Sequence, residues 1–369
     1  MVWNHPTHLT YVTGYTKCNG RIRTLSTIYE IAKKLGVSTA TVSRALNNKG
    51  YVRKELKQRI LATAEELGYV PNSLAKSLAS GLTKVICLIV PDLANVFFAL
   101  VARGVEDIAY DHGYSLIICN TDGLEDKERK YVRIARERKA DGIIFIGSLM
   151  SRSYLTELVE AGIPMVIADR YVDGLHVDMV INDNLKGAKA AVNHLIRLGH
   201  QAIATIRGPQ NTQTAVDRYL GYVEAMHEHF LDIRPEWVRD GDYKERSGYV
   251  QTQRLLALKE RPTAIFAAND LMALGALTAI EEAGLRVPQD IAVVGYDDIP
   301  LAAQVRPRLT TVAQPKYELG QQAMERLIWR LNNAEVEKKA EIIVLQPRLV
   351  VRESSLAGSI RSVQSVQGR

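Results

Sequence analysis

Residues Thr27–Leu46 read TIYEIAKKLGVSTATVSRAL, and this stretch decides the fold of the first part of the chain. Thr27 and Glu30 have the spacing of a capping box, which satisfies free N–H groups at a helix start. Gly36 ends this helix, because a left-handed residue costs glycine the least. Between these ends the apolar residues recur every three or four positions, as on one face of a helix: Ile28, Ile31, Ala32 and Leu35.

A second helix follows after a tight turn. Ser38 is suited to cap it, and Ala32 falls where the two helices cross closely. Val42, Ala45 and Leu46 face inward, which leaves an outward set of Thr39, Ala40, Ser43, Arg44 and Asn47. Two short helices with this turn predict a helix-turn-helix, whose second helix enters the DNA major groove.

The alternative interpretation is an ordinary pair of helices that touches no DNA. The outward set argues against it, because short polar side chains and one Arg suit a major groove, where Arg can bond to guanine. A merely solvated helix face usually carries Glu and Lys four residues apart, and this face carries neither.

Charge is distributed unevenly along the 369 residues, a length that allows two or three domains. Residues 1–84 hold 13 Lys and Arg against 4 Asp and Glu, and the remaining residues hold 34 against 37. A basic excess confined to the first fifth of the chain is typical of a nucleic-acid-binding head on a nearly neutral body. A basic solvated tail is the weaker explanation, since the excess spans helical patterns.

The segment TIYEIAKKLGVSTATVSRALNNKGYV (27–52) resembles the DNA-binding head of the lactose-repressor/galactose-repressor (LacI/GalR) family, and the resemblance extends to about Glu353. It implies a transcriptional regulator, most simply a repressor, that binds a palindromic operator in double-stranded DNA. On this hypothesis Thr39, Ala40 and Arg44 read base edges. The residues that position the head on phosphates are then Tyr29, Ser38, Ser43 and Asn47.

The head is completed by a third helix over residues 54–67, within a domain placed at 24–69, and a hinge follows at 70–83. Pro71 breaks the chain's helical pattern, and a short helix over 73–79 is unstable alone. An interdomain linker is the plainer interpretation. The family resemblance implies a hinge that folds on DNA and wedges Leu78 into the minor groove, with Asn72 and Ala75 beside it. Residues 1–23 show no clear period, and we expect a disordered leader.

The remainder of the chain alternates apolar strands with helical stretches, which predicts parallel sheets covered on both faces. About 270 residues is long for one sheet, so two lobes are expected. The fold class is a small all-α helix-turn-helix head joined by a hinge to an α/β body of two doubly wound parallel-sheet lobes, similar to periplasmic binding proteins. We place the N-lobe at 84–184 and 310–343, the C-lobe at 185–309 and 344–353, and a tail at 354–369.

Polar side chains follow many of these strands, and ligands of two-lobed α/β proteins bind at such strand ends. Each residue alone has a plainer explanation: Asn269 and Asp297 could cap helices, and Arg218 could form a surface ion pair. Their recurrence at strand ends predicts a ligand site that also includes Asp169, Arg170, Asn182, Asp183, Tyr243 and Gln314.

The set is similar to the sugar site of ribose-binding-type periplasmic proteins and their repressor relatives, in which Asn95, Phe97 and Phe98 match the first loop. This implies a monosaccharide effector, such as a pentose or hexose, because aromatic rings pack on the sugar and charged groups bind its hydroxyls. Purine-responsive relatives carry an extra Arg where this chain has Thr212, which makes a nucleobase the alternative. A phosphorylated partner protein is a further alternative.

Enzymes are disfavoured, because the chain lacks GxGxxG after a strand, GxxxxGK[ST], GxSxG and HExxH. No cofactor or metal site is expected. Three scattered cysteines, no long apolar run and no secretory signal predict a cytoplasmic protein without membrane contact. A transport or chemotaxis module would need that signal, and a sugar-modifying enzyme would need a nucleophile. The tail lacks the leucine heptad of the family's tetramers, so we expect a homodimer.

Overall fold

The computed structural model describes residues 27–47, 50–69, 81–147, 150–333 and 339–356, together with the backbone of 15–18 and 21–24. The chain divides into two compact units, residues 1–83 and residues 84–369. Each unit has its own hydrophobic core.

The first unit contains the predicted helix-turn-helix and third helix. Its helices are α1 (Ile28–Leu35), α2 (Thr39–Leu46) and α3 (Lys54–Glu66). The N–H of Thr27 donates to Glu30 Oε2 at 2.9 Å, and Ser38 Oγ accepts from the N–H of Thr41 at 3.1 Å, so both predicted starts are capped. Gly36 has the expected left-handed backbone, with φ of 67°. The buried core is formed by Ile31, Ala32, Val42, Ala45, Ile60 and Ala64.

The expected disordered leader contains paired backbone instead. Strands β1 (Tyr15–Cys18) and β2 (Arg21–Thr24) form an antiparallel ladder, in which Tyr15 lies opposite Thr24. This pair leaves no signal in the sequence, because four-residue strands are too short to show a clear alternation.

The N-lobe of the second unit is a six-stranded parallel sheet in the order β13-β7-β6-β5-β3-β4. One face is covered by α4 and α11, and the other by α5 and α6. The strands are β3 (Val85–Val90), β4 (Ser115–Asn120), β5 (Gly142–Ile146), β6 (Met165–Ala168), β7 (Asp178–Asn182) and β13 (Ile342–Leu345). The helices are α4 (Val96–Asp111), α5 (Glu125–Glu137), α6 (Arg152–Glu160) and α11 (Lys316–Asn332).

The C-lobe is a second six-stranded sheet, in the order β14-β12-β11-β10-β8-β9. Helices α7 and α8 cover one face, and α9 and α10 cover the other. Its strands are β8 (Ile203–Arg207), β9 (Val238–Asp240), β10 (Ala264–Ala267), β11 (Ala292–Asp297), β12 (Thr310–Ala313) and β14 (Arg348–Val350). Its helices are α7 (Asn184–Arg197), α8 (Gln213–Glu228), α9 (Glu245–Leu256) and α10 (Asp270–Glu282), with 3-10 turns at Pro235–Trp237 and Pro300–Ala303.

The two lobes are doubly wound as expected, with one exception: edge strand β14 runs antiparallel to β12. β14 enters this sheet two residues after β13, which belongs to the N-lobe sheet. The parallel-sheet prediction therefore holds for every other strand pair of the two lobes in the described part of the chain.

The chain crosses between lobes three times, and two of the predicted crossings were misplaced. The first lies at Asp183, between β7 and α7, next to the boundary placed after residue 184. The second lies at residues 314–315 rather than near Leu309, because β12 pairs with β11 in the C-lobe. The third lies at residues 346–347 rather than near Ile343, because β13 pairs with β7. Strand pairing is a long-range property, so the local pattern did not show which sheet each strand joins.

The predicted tail also begins too early, because Ser354 and Ser355 are buried in the C-lobe. The carbonyl of Ser354 accepts from the N–H of Val293 at 2.9 Å, and its N–H donates to the carbonyl of Arg308 at 2.9 Å. His194 and Thr310 contact the Ser355 hydroxyl at 2.8 and 2.7 Å. These contacts satisfy buried polar groups inside the lobe. The polar sequence of the segment alone does not reveal that it is buried.

Candidate functional site

The outward face of α2 is the candidate nucleic-acid interface. Ala40, Arg44 and Asn47 are exposed, while Thr39 and Ser43 are half-buried. Arg44 Nε donates to the carbonyl of Ala40 at 3.3 Å, and Asn47 Nδ2 donates to the carbonyl of Ser43 at 3.0 Å. Both side chains therefore satisfy part of their hydrogen-bonding capacity along their own helix.

Two further predicted phosphate contacts lie at helix starts. Tyr29 is 72% exposed in the first turn of α1, and Ser38 is exposed at the start of α2. The Ser38 hydroxyl also contacts the Thr41 hydroxyl at 2.9 Å. The N–H groups at helix starts are favourable partners for phosphate. The predicted hinge residues Asn72, Ala75 and Leu78 lie outside the described residues.

A cavity of about 520 Å³ lies between the two lobes of the body, at the carboxyl ends of their strands. This is the size expected of a small-molecule site. Nine of the twelve predicted ligand residues line it: Asn95, Phe97, Phe98, Asp169, Arg170, Arg218, Tyr243, Asn269 and Asp297.

Asp169 lies at the end of β6 in the N-lobe and is 6% exposed. Its Oδ1 has no hydrogen-bond partner among the described residues, and its backbone is left-handed, with φ of 64°. Burial raises the pKa of Asp169 to about 7; the Arg218 charge opposes this rise and the Asp297 charge adds to it. A buried carboxylate oxygen without a partner is available to bind a polar ligand.

Arg218 projects from α8 of the C-lobe into the same cavity. Its Nε donates to Asn184 Oδ1 at 2.9 Å, and its Nη1 donates to the carbonyl of Ala268 at 2.6 Å and to Asp297 Oδ1 at 3.3 Å. Burial lowers the pKa of Arg218, but Asp297 and the neighbouring tyrosines raise it above its ordinary value. The guanidinium therefore stays charged and is held in one orientation.

Aromatic side chains form the N-lobe wall of the cavity. Asn95 caps α4 by accepting from the N–H of Phe97 at 3.0 Å, which fixes the helix start at the cavity. The rings of Phe97 and Phe98 pack edge to face, with centroids 5.1 Å apart. A flat or slightly puckered ring can pack against this wall.

Tyr243 and Asn269 support each other on the C-lobe wall. Tyr243 has a left-handed backbone, with φ of 66°, and its carbonyl accepts from Asn269 Nδ2 at 2.9 Å. Asn269 Oδ1 accepts from the N–H of Met272 at 3.0 Å, so it also caps α10. A Cβ at Gly208 would lie 2.3 Å from Tyr243 Cζ, so a larger residue there would displace the ring. Both interpretations of Asn269, helix cap and cavity wall, thus apply at once.

Three predicted residues do not line the cavity. Asp183 caps α7 by accepting from the N–H of Lys186 at 3.0 Å. Gln314 lies behind the wall, where its Nε2 donates to Asp297 Oδ1 at 2.7 Å. Asn182 is buried, and neither of its amide atoms has a hydrogen-bond partner in the described part of the chain.

The cavity also contains residues that the sequence analysis missed. Asp122 and Gly123 follow β4, and Asp242 and Lys244 follow β9. The strand-end rule applied to β4 would have found Asp122. Thr212, noted only as a departure from purine-responsive relatives, also lines the cavity.

Among the described residues there is no group of three or more His, Cys, Asp or Glu side chains that could hold a metal ion. In the same residues, no helix has the length and apolar character needed to cross a bilayer.

Comparisons with known families match both parts of the chain. Residues 27–72 match bacterial regulatory proteins of the lacI family, and residues 192–355 match the periplasmic binding protein-like domain. The chain is 38% identical over 335 residues to the HTH-type transcriptional repressor PurR of Aliivibrio fischeri (strain MJ11), covering 90% of this chain and 99% of the relative.

Two solved structures of transcriptional regulators are also similar to this chain. The lac repressor dimer bound to operator and the anti-inducer ONPF is similar, with a TM-score of 0.82 and 30% identity, covering 90% of this chain and 100% of that one. A LacI family transcriptional regulator from Enterococcus faecium with bound ribose has a TM-score of 0.66 and 32% identity, covering 73% and 98%.

Proposed function

This chain belongs to the lacI family of bacterial regulatory proteins and is a DNA-binding transcriptional repressor, and we propose that a small polar ring bound between its lobes controls its affinity for operator DNA. The observation that carries this proposal is the cavity itself. Both lobes contribute to it: the N-lobe provides the aromatic wall and the buried Asp169, and the C-lobe provides Arg218 paired with the buried Asp297. Relatives named as repressors also support the expectation that the protein is not an enzyme.

A purine nucleobase is the first candidate effector, because relatives 37–38% identical to this chain are repressors named PurR. This differs from the monosaccharide expected from the sequence. The Phe97 and Phe98 rings suit the face of a planar base. Asp169, Arg218 and Asp297 can bind its ring N–H and carbonyl groups, since carboxylates accept and guanidinium donates.

A pentose is the second candidate, and two observations favour it. A structural neighbour that is 32% identical contains bound ribose. The residue at 212 is Thr rather than the Arg of purine-responsive relatives, so one donor toward a base is missing. Hydroxyl groups can donate to both Asp169 and Asp297, and such a site rejects ligands that leave these carboxyls unpaired.

The effector experiment is a thermal-shift and calorimetric panel of hypoxanthine, guanine, D-ribose and D-glucose on the full chain. A ligand at one hundred times its Kd should stabilise the protein by about 2.7 kcal/mol. We expect either the purine bases or the sugars to bind. The Asp297→Asn variant should lose that binding, and the exposed control Asp232→Asn should keep it. Binding by none of the four would overturn both candidates and favour a phosphorylated partner protein as the effector.

On the DNA side, we propose that two heads of a homodimer bind the two halves of a palindromic operator in the cytoplasm. An isologous dimer has the symmetry of a palindrome. Thr39, Ala40 and Arg44 are the proposed base-reading residues, supported by their positions on the outer face of α2. A gel shift should weaken steeply as salt rises, because phosphate contacts release counterions; salt-independent binding would contradict the proposal.

The ligand controls DNA binding only if it favours one arrangement of the lobes over the other. Because residues of both lobes line the cavity, a ligand that contacts both walls binds most tightly when they approach each other. We propose that this preference is transmitted to the paired hinges. The hinge residues Asn72, Ala75 and Leu78 remain proposals on the strength of the family resemblance.

A further inference from the structure

The end of β11 has an unusual backbone. Asp297 and Asp298 have φ of 112° and 54°, a region that non-glycine residues rarely adopt. Such conformations persist only where the surroundings hold them. The turn is part of the C-lobe, and the Asp297 side chain lines the cavity.

Lys316 holds this turn from the other lobe. Its Nζ donates to the carbonyl oxygens of Asp297 at 2.6 Å and Asp298 at 2.9 Å, and lies 3.5 Å from the carbonyl of Gln314. Lys316 is the first residue of α11, which packs against the N-lobe sheet. The C-lobe adds its own support through Arg352 Nη2, which donates to Asp298 Oδ1 at 2.7 Å.

Helix α11 is in turn fixed to α4. A Cβ at Gly320 would lie 2.1 Å from the carbonyl oxygen of Val101, and a Cβ at Gly104 would lie 2.1 Å from that of Tyr317. Backbones this close leave no room for the two helices to slide independently. Because the start of α4, with its cap Asn95 and Phe97 in the first turn, lies in the cavity wall, α11 connects that wall to Lys316.

We propose that Lys316 is a positioning residue that couples Asp297 to the N-lobe, so that a ligand contacting Asp297 alters the arrangement of the lobes through the Lys316 ammonium. This inference rests on the proposed function of the cavity. Lys316 itself does not line the cavity, so it acts through the backbone of Asp297 and Asp298 rather than by touching the ligand.

The charge of Lys316 suits this role. Burial lowers the pKa of its ammonium, while the neighbouring Asp297, Asp298 and Asp270 raise it and Arg352 lowers it further. An ammonium can donate three hydrogen bonds from one point. A methionine of similar length cannot donate, and the larger planar guanidinium of arginine can restore some but not all of the contacts.

The first test needs no ligand. Amide hydrogen exchange on the full-length protein follows the N–H groups of Asp298 and Ile299, which donate to Thr311 Oγ1 and Asp270 Oδ2. In Lys316→Met these amides and the first turn of α11 should exchange about tenfold faster, with partial rescue in Lys316→Arg. The matched control is Lys189→Met, whose ammonium pairs with Glu224 and Glu228 within the C-lobe. Unchanged exchange in Lys316→Met would overturn the inference.

The second test measures coupling with hypoxanthine and D-ribose as probes. The factor by which a probe changes the operator Kd should fall at least about fivefold in Lys316→Met, while the control keeps the wild-type factor. A merely structural defect would weaken operator binding with and without the probe alike and leave the factor intact, which would overturn the coupling role. If neither probe affects the wild-type protein, those effector candidates fail, and the exchange experiment still decides whether Lys316 holds the turn.

Discussion

At the scale of single residues, Arg44 makes the most specific prediction for DNA recognition. Arg44 is exposed on α2. Within the described residues of the head, its side chain donates a hydrogen bond to the Ala40 carbonyl of its own helix. Arg44→Ala should weaken the binding free energy for the preferred operator by about 1–3 kcal/mol and relax selectivity at one base position of each half-site. Fluorescence anisotropy with single-base operator variants measures both quantities.

The control for this change is Arg59→Ala, which removes an exposed charge from α3. Arg59→Ala should lower the affinity for all DNA sequences equally or leave it unchanged. If the base preferences of Arg44→Ala equal those of the wild type, Arg44 does not read a base.

Asp169 predicts a pH dependence of stability. Its pKa is about 7 in the folded protein, against 3.8 in an unfolded chain, and burial is the main cause. Between these values the folded state binds a proton that the unfolded state does not, so the contribution of Asp169 to stability is fully present below the unfolded pKa and is lost as the pH rises through 7.

The variant Asp169→Asn should remove this dependence, because the amide is neutral at every pH and Asn tolerates a left-handed backbone. From pH 5 to 8 the wild type should lose about 3 kcal/mol more of its unfolding free energy than the variant. Denaturant titrations at several pH values measure the difference, with Asp232→Asn as control. Parallel profiles for wild type and Asp169→Asn would contradict the assignment.

At the scale of helices and strands, the α4–α11 contact gives a second stability prediction. A Cβ at Gly104 would overlap the backbone carbonyl of Tyr317. Gly104→Ala should therefore separate the helices, destabilise the body by about 1–3 kcal/mol or more and weaken ligand binding, since α4 carries Phe97 and Phe98. Calorimetry measures both effects, and the neighbouring exposed change Arg103→Ala is the control. A fully stable Gly104→Ala protein with normal ligand affinity would mean that the two helices can separate freely.

The sequence predicted most helices and strands but not the unusual backbone conformations at their ends. The alternation of apolar runs with helical stretches predicted the two parallel sheets, because buried parallel strands are continuously apolar. The left-handed conformations of Asp169, Tyr243 and Asp297 were not predicted. They depend on contacts with distant residues, such as Asn269 or Lys316, and leave no local signal.

At the scale of the whole molecule, the helix pattern and the family resemblance predicted the head, and the alternation of strands and helices predicted the two-lobed body. The pairing between distant strands had to come from the structure. The local sequence of strand β12 is compatible with either sheet, and its hydrogen bonds to β11 place it in the C-lobe sheet. Six residues of the cavity were predicted because they follow strands and three from the family resemblance, whereas Gln314 follows a strand yet lies behind Asp297. Position along the chain therefore predicts proximity to the cavity better than it predicts contact with it.

The central claim is that the ligand cavity controls DNA binding. The most direct test is an anisotropy titration of full-length protein on an operator selected from random DNA, with and without hypoxanthine or D-ribose. We predict that one of them changes the operator Kd by about 5- to 150-fold, in either direction, and that Arg218→Met abolishes the change. An operator Kd that neither ligand alters, or a response that survives in Arg218→Met, would contradict the account.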